Sequence, residues 1–198
     1  MRPNVIFYKT AIAREIPSIT KPQLAGIEYC ASVDDYGNMG LAVLCCYDLA
    51  NELPIVFCPD NLASAHRLVD RADHLIGFTS QSLDNQVLAA NNLALPQAKC
   101  LDLFEEISKA AGNAPLGFRE LCQTNFDRVR VEDDLEEWPV WWQRGQIGKV
   151  ASHCLEDVML TFRLWRKIIN TGQIVDPRDP KKTIDVVLSR FNKFREAA

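Results

Sequence analysis

Near residue 60 the hydrophobic pattern of this 198-residue chain changes period, and that change limits the folds open to it. Before it lie three short apolar runs: a nearly continuous one from Leu24 to Ala31, a second from Leu41 to Tyr47 after a Gly37-Asn38 turn, and a third from Pro54 to Cys58. Runs of this length with short polar links read as an antiparallel meander, the first strand being buried on both faces. After residue 60 the spacing turns helical. Asp60-Asn61 heads a helix through Leu62, Ala65, Leu68 and Val69, and His74 to Phe78 reads as a buried strand. Ser80 or Ser82 then opens a helix bearing Asp84, Val87, Leu88 and Asn91. Cys100 to Phe104 leads into a helix that Gly112 ends, Phe118 to Phe126 forms a short one, and the longest runs from Ile147 to Asn170. Strands followed by alternating helix and strand predict an α/β domain with a mixed sheet. The division is an irregular N-terminal arm over 1–23, a domain over 24–172, and a basic tail over 173–198 that packs on it.

The size suits one well-cored domain. No apolar run approaches the roughly 20 residues that span a bilayer. The apolar stretch near Met1 is too short for a secretory signal, so a cytoplasmic setting without a membrane partner is expected. Seven cysteines contain no C-x-x-C pair. An odd set without that spacing argues against a disulfide framework and against a zinc knuckle. The net charge of −4 is unevenly spread: residues 166–198 carry eight Lys/Arg against four Asp/Glu, a net of +4 that leaves −8 on the remainder. An acidic body of this kind does not coat duplex DNA non-specifically. Glu132 to Glu137 holds five acids in six residues, the composition of a solvated loop.

Three acids sit in apolar surroundings: Glu28 on the first predicted strand, Asp84 at the head of a helix, and Asp157 on the longest helix, four residues after His153. A carboxylate removed from water is paired or binds a cation. Each has an ordinary alternative: Glu28 paired with an arginine or lysine, Asp84 as a helix-start acid favoured by the dipole, His153 as a satisfied, partly buried histidine. Residues four apart stack on one helix face, so His153 and Asp157 share a side that borders the apolar stripe.

In order along the chain, Glu28, then Gly77-Phe-Thr-Ser-Gln-Ser-Leu-Asp84, then His153-Cys-Leu-Glu-Asp157-Val-Met-Leu-Thr161 resemble the DEDD family of 3′–5′ exonucleases. Trp141-Trp-Gln-Arg-Gly145 is similar to the W-x-x-G segment that often precedes the family's third motif. The resemblance implies a ribonuclease-H-like fold: a three-strand antiparallel meander plus parallel strands, flanked by helices. It implies two Mg²⁺ or Mn²⁺ ions held by acids, with Glu28, Asp84 and Asp157 as metal ligands. Glu28 and His153 would be the catalytic residues, His153 orienting or deprotonating the attacking water, for which imidazole is suited. The partner implied is a single-stranded 3′ end of DNA or RNA. Two departures stand out. The family's third motif has tyrosine where His153 stands, or a histidine one residue earlier. Its first motif is D-x-E, whereas the chain has Gly26-Ile-Glu28, with Asp34 or Asp35 in the following loop as substitutes or as plain turn acids. A metal-dependent exonuclease is therefore expected, and a degenerate exonuclease fold that binds nucleic acid or protein is the alternative.

Overall fold

The computed structural model describes residues 3–18, 20, 22–126 and 137–191. In chain order the elements are β1 (Val5–Ile12), α1 (Tyr36–Met39), β2 (Leu41–Asp48), β3 (Leu53–Phe57), α2 (Ala65–Arg71), β4 (His74–Gly77), α3 (Asp84–Ala90), β5 (Cys100–Asp102), α4 (Leu103–Ala110), α5 (Phe118–Asn125), α6 (Trp138–Gln143), α7 (Ile147–Thr171), β6 (Gln173–Val175) and β7 (Thr183–Asp185). Strands β1 to β5 form one sheet in the order β3-β2-β1-β4-β5. β1 runs antiparallel to β2, with Phe7 opposite Tyr47 and Lys9 opposite Cys45, and parallel to β4, with Ile6 opposite Leu75. The mixed sheet is the expected one, but its central strand is not.

Residues 5–12, assigned from sequence to an irregular arm, are the middle of the sheet. Six of the eight residues in Val5-Ile-Phe-Tyr-Lys-Thr-Ala-Ile12 are β-branched or aromatic, the types that suit a pleated, packed surface. The run 24–31, expected to be that strand, is a surface segment. Leu24 is 48% exposed, Gly26 has φ of +75°, and the segment touches a strand-like neighbour only at the Glu15–Tyr29 bridge. That bridge is made by Glu15 N donating to Glu28 O and Cys30 N donating to Glu15 O, while Glu28 N donates to the Gln143 side chain.

Both sheet faces are covered, so the inner strands are apolar on both sides. β2 is buried at every position. Phe7, Val43, Cys45 and Ile76 pack towards α7, against Val158, Leu164 and Trp165, while Ile6, Tyr8, Leu44 and Cys46 pack towards α2 and α3, against Leu68, Val87 and Leu88. Beyond α7, strands β6 and β7 pair, and Ile174, Ile184, Val186 and Leu188 join the α7-side core. Phe191 is fully buried, its ring 5.7 Å from Trp165 and 4.6 Å from His74. The seven cysteines are free thiols, and no helix among the described residues is long and apolar enough to cross a membrane. Of the acidic stretch 132–137 only Glu137 is described, exposed at the head of α6; residues 192–198 also lie outside the described residues.

Candidate functional site

Alternation along β1 sends Phe7, Lys9 and Ala11 towards α7 and Tyr8 and Thr10 towards α3. The parallel pairing of β1 with β4 ends at Phe7–Ile76, so the Thr10 amide lies beyond its strand partner. Asp84 supplies the acceptor.

The connection from β4 to α3 is built to bring that carboxylate back over β1. Gly77 permits its tight start, since a Cβ there would stand 2.4 Å from the Ser80 Cβ. Thr79 follows in the left-handed region, at φ of +55°. The nearly buried Asp102 carboxylate holds the turn, accepting from the amides of Thr79 at 2.9 Å, Gln81 at 3.0 Å and Phe104 at 3.0 Å. Neither Ser80 nor Ser82 caps α3: the Ser80 hydroxyl donates to Asp102 and the Ser82 hydroxyl to Thr79 O. The serines serve the turn instead.

Asp84 is fully buried. Its Oδ1 accepts from the Thr10 amide at 2.9 Å and from the Thr10 hydroxyl, and its Oδ2 accepts from Lys9 Nζ at 3.0 Å. Lys9 is 18% exposed at its side chain. Burial works against its charge, but the Asp84 carboxylate, through its charge and its hydrogen bond, outweighs burial with help from Asp157, so the ammonium is held above the ordinary lysine range. Cys154, on α7, donates its thiol to Lys9 O at 3.4 Å. Asp84 thus pairs directly with the Lys9 cation, while Asp157 on α7 acts on it through its charge.

The other candidates lie elsewhere. Glu28 is 71% exposed at its side chain and pairs with Arg14 Nε at 2.8 Å. Only its backbone is anchored, by Gln143 of α6, whose amide donates to Ala13 O and Glu28 O. His153 is half-buried with its ring edge-on to Trp141 at 4.8 Å and Trp138 at 6.3 Å. The Trp141 face carries the Lys149 ammonium at 3.4 Å, so the tryptophan segment before α7 seats His153 against α6. Asp35 is a turn acid: it accepts from the Ala31 amide at 2.8 Å, which with the Asn38 bonds holds its carboxyl below the usual range. Asp34 meets Tyr36 Oη at 3.4 Å.

The donor set does not fit a divalent ion. Both Asp84 oxygens are engaged by Thr10 and Lys9, and the cation beside them repels a second one. Glu28 stays at the surface, and among the described residues no group of three His, Cys, Asp or Glu side chains converges to hold a metal. Among the described residues, therefore, the Mg²⁺ or Mn²⁺ expected from the resemblance has no matching set of ligands. Sequence reasoning missed Lys9 and Thr10. The available signal was a lysine inside an apolar eight-residue run, since such a cation needs an acid partner.

No protein-family model matches the chain, and neither does any curated protein. Among solved structures it is similar to the family B DNA polymerase of the hyperthermophilic archaeon Pyrobaculum calidifontis, with a TM-score of 0.57 and 12% identity over 85% of this chain. The chain spans 25% of the polymerase's length. At that identity the likeness is one of fold: a five-stranded mixed sheet flanked by helices, of ribonuclease-H-like type.

Proposed function

We propose that the chain is a nucleic-acid-binding module on a ribonuclease-H-like fold and does not hydrolyse phosphodiester bonds. The observation that carries this is β1. Two-metal hydrolysis needs several carboxylates converging on two ions a few Å apart. In the resemblance the first acidic motif belongs to the first strand, and Val5–Ile12 contains no acid. Asp84 and Asp157 remain, but Asp84 is already paired with an ammonium that also feels the charge of Asp157. The likeness to a DNA polymerase supports nucleic acid as the ligand. With an acidic body, contact with a strand is expected through local groups rather than a broad basic face.

The retained His153-Cys-Leu-Glu-Asp157-Val segment of α7 favours a second reading, an active metal-dependent 3′–5′ exonuclease. One experiment separates them. The protein is incubated with 5′-labelled single-stranded DNA and RNA, with Mn²⁺ and then with chelator. Binding unchanged by chelator and no shortening of the strand is the expected result. Metal-dependent shortening that disappears in Asp157→Ala would establish the exonuclease instead, and absence of binding to either strand would remove nucleic acid as the ligand.

A further inference from the structure

We propose that the Lys9 ammonium is the resident cation of the Asp84–Asp157 site, standing in the place of a divalent ion, and that this one side chain bars Mg²⁺ and Mn²⁺ from it. The inference deepens the non-hydrolytic reading but does not depend on nucleic-acid binding.

Three features support it. Lys9 Nζ lies 3.0 Å from Asp84 Oδ2, within a charge-assisted hydrogen bond. The same ammonium feels the charge of Asp157 on α7, so it answers to the acids at the head of α3 and on α7 together. The third feature is the rigidity of the arrangement. Asp84 cannot turn an oxygen towards an incoming ion without giving up Lys9 or Thr10, because Oδ1 is tied to both the amide and the hydroxyl of Thr10. The Asp102-held turn fixes the start of α3 from behind. A divalent ion entering here would have to displace a tethered cation whose effective concentration never falls. Hard cations prefer carboxylate oxygens, and removing the ammonium frees Asp84 Oδ2.

The test is Mn²⁺ uptake by the full chain without nucleic acid, followed by electron paramagnetic resonance and calorimetry. The wild type is expected to show no saturable uptake. Lys9→Asp, which replaces the ammonium beside Asp84 by a carboxylate, is expected to bind Mn²⁺ at least about tenfold more tightly, as a change of two unit charges beside a divalent ion requires. Asp84→Asn in that background should abolish the gain. Lys9→Gln retains a donor for Asp84 and fills similar space, so it keeps the test alive if Lys9→Asp does not fold; it too should bind Mn²⁺ more tightly than wild type. Saturable wild-type uptake that Asp84→Asn removes would overturn the proposal. So would folded Lys9→Gln or Lys9→Asp protein with wild-type Mn²⁺ affinity. A protein that binds no oligonucleotide yet gains Mn²⁺ on losing Lys9 would refute the proposed function and leave this inference standing.

Discussion

Replacing Lys9 by methionine should destabilise the protein by about 3 kcal/mol at pH 7. Methionine keeps most of the stem, so the perturbation is the loss of the ammonium. Asp84, at 0% exposure, then loses the cation on Oδ2 while Thr10 continues to donate to Oδ1. Breaking a buried pair from one side costs roughly 3–5 kcal/mol. One feature places the value at the lower end: Thr10 continues to donate its amide and hydroxyl to Asp84. For a domain of this size each kcal/mol shifts Tm by roughly 2–4 °C, so a fall of about 6–12 °C is expected by calorimetry or circular dichroism. Lys9→Met/Asp84→Asn should recover part of the loss, since an amide oxygen still accepts from Thr10 and needs no counter-charge. A Tm change below about 2 °C would refute the account of Lys9 as the partner of a buried carboxylate.

Alkaline titration gives an independent check. A lysine held above its ordinary value contributes stability that is complete below the unfolded value of about 10.4 and lost as pH rises through the folded one. The stability gap between wild type and Lys9→Met should therefore narrow above about pH 10.5, measured by urea unfolding; a constant gap contradicts it. Glu28→Ala should alter stability by less than about 1 kcal/mol, because the Glu28–Arg14 pair is exposed and Gln143 binds only the Glu28 backbone. A Tm drop beyond about 4 °C would show that Glu28 has a partner stronger than Arg14. Asp102→Ala removes the acceptor of three amides and should cost about 3 kcal/mol or more. Amide exchange at Thr79 and Gln81 should quicken, and unchanged protection there would mean that the turn holds without Asp102.

Elements whose identity is decided locally were legible. The strand expected over 41–47 is observed as Leu41–Asp48, that over 54–58 as Leu53–Phe57, and the helix expected over 147–170 as Ile147–Thr171. His153 and Asp157 both lie half-buried on α7, four residues apart. The central strand was misplaced because two apolar runs competed for it. Leu24 to Ala31 contains an acid, and the resemblance asked for an acid on the first strand; Val5 to Ile12 has the better β composition but no acid. Which run enters the sheet depends on pairing with β2 and β4, contacts that no local period reveals. The same holds for the site. Lys9 and Asp84 are 75 residues apart, and nothing in the spacing of either announces the other. What the sequence did contain was a lysine flanked by Phe7, Tyr8 and Ala11, an energetic question of the kind already raised by the three acids.

The exchange of an ion for a side chain changes more than catalysis. A metal held by carboxylates stabilises the folded state only by mass action, in proportion to the logarithm of one plus the ion concentration over its dissociation constant. A lysine on the neighbouring strand needs no such supply. Asp84 is compensated whenever β1 is in the sheet, so the order of the α3 start is coupled to the fold itself and not to the ionic medium. The cost falls on chemistry: an ammonium neither generates a hydroxide nor bridges an attacking and a leaving oxygen, as paired ions do. A fold can keep its carboxylates and lose their reaction in this way, because the acids retain a structural reason to be there once the lysine depends on them. The presence of Asp84 is then no argument for activity, because removing either Asp84 or Lys9 would leave the other as an uncompensated buried charge.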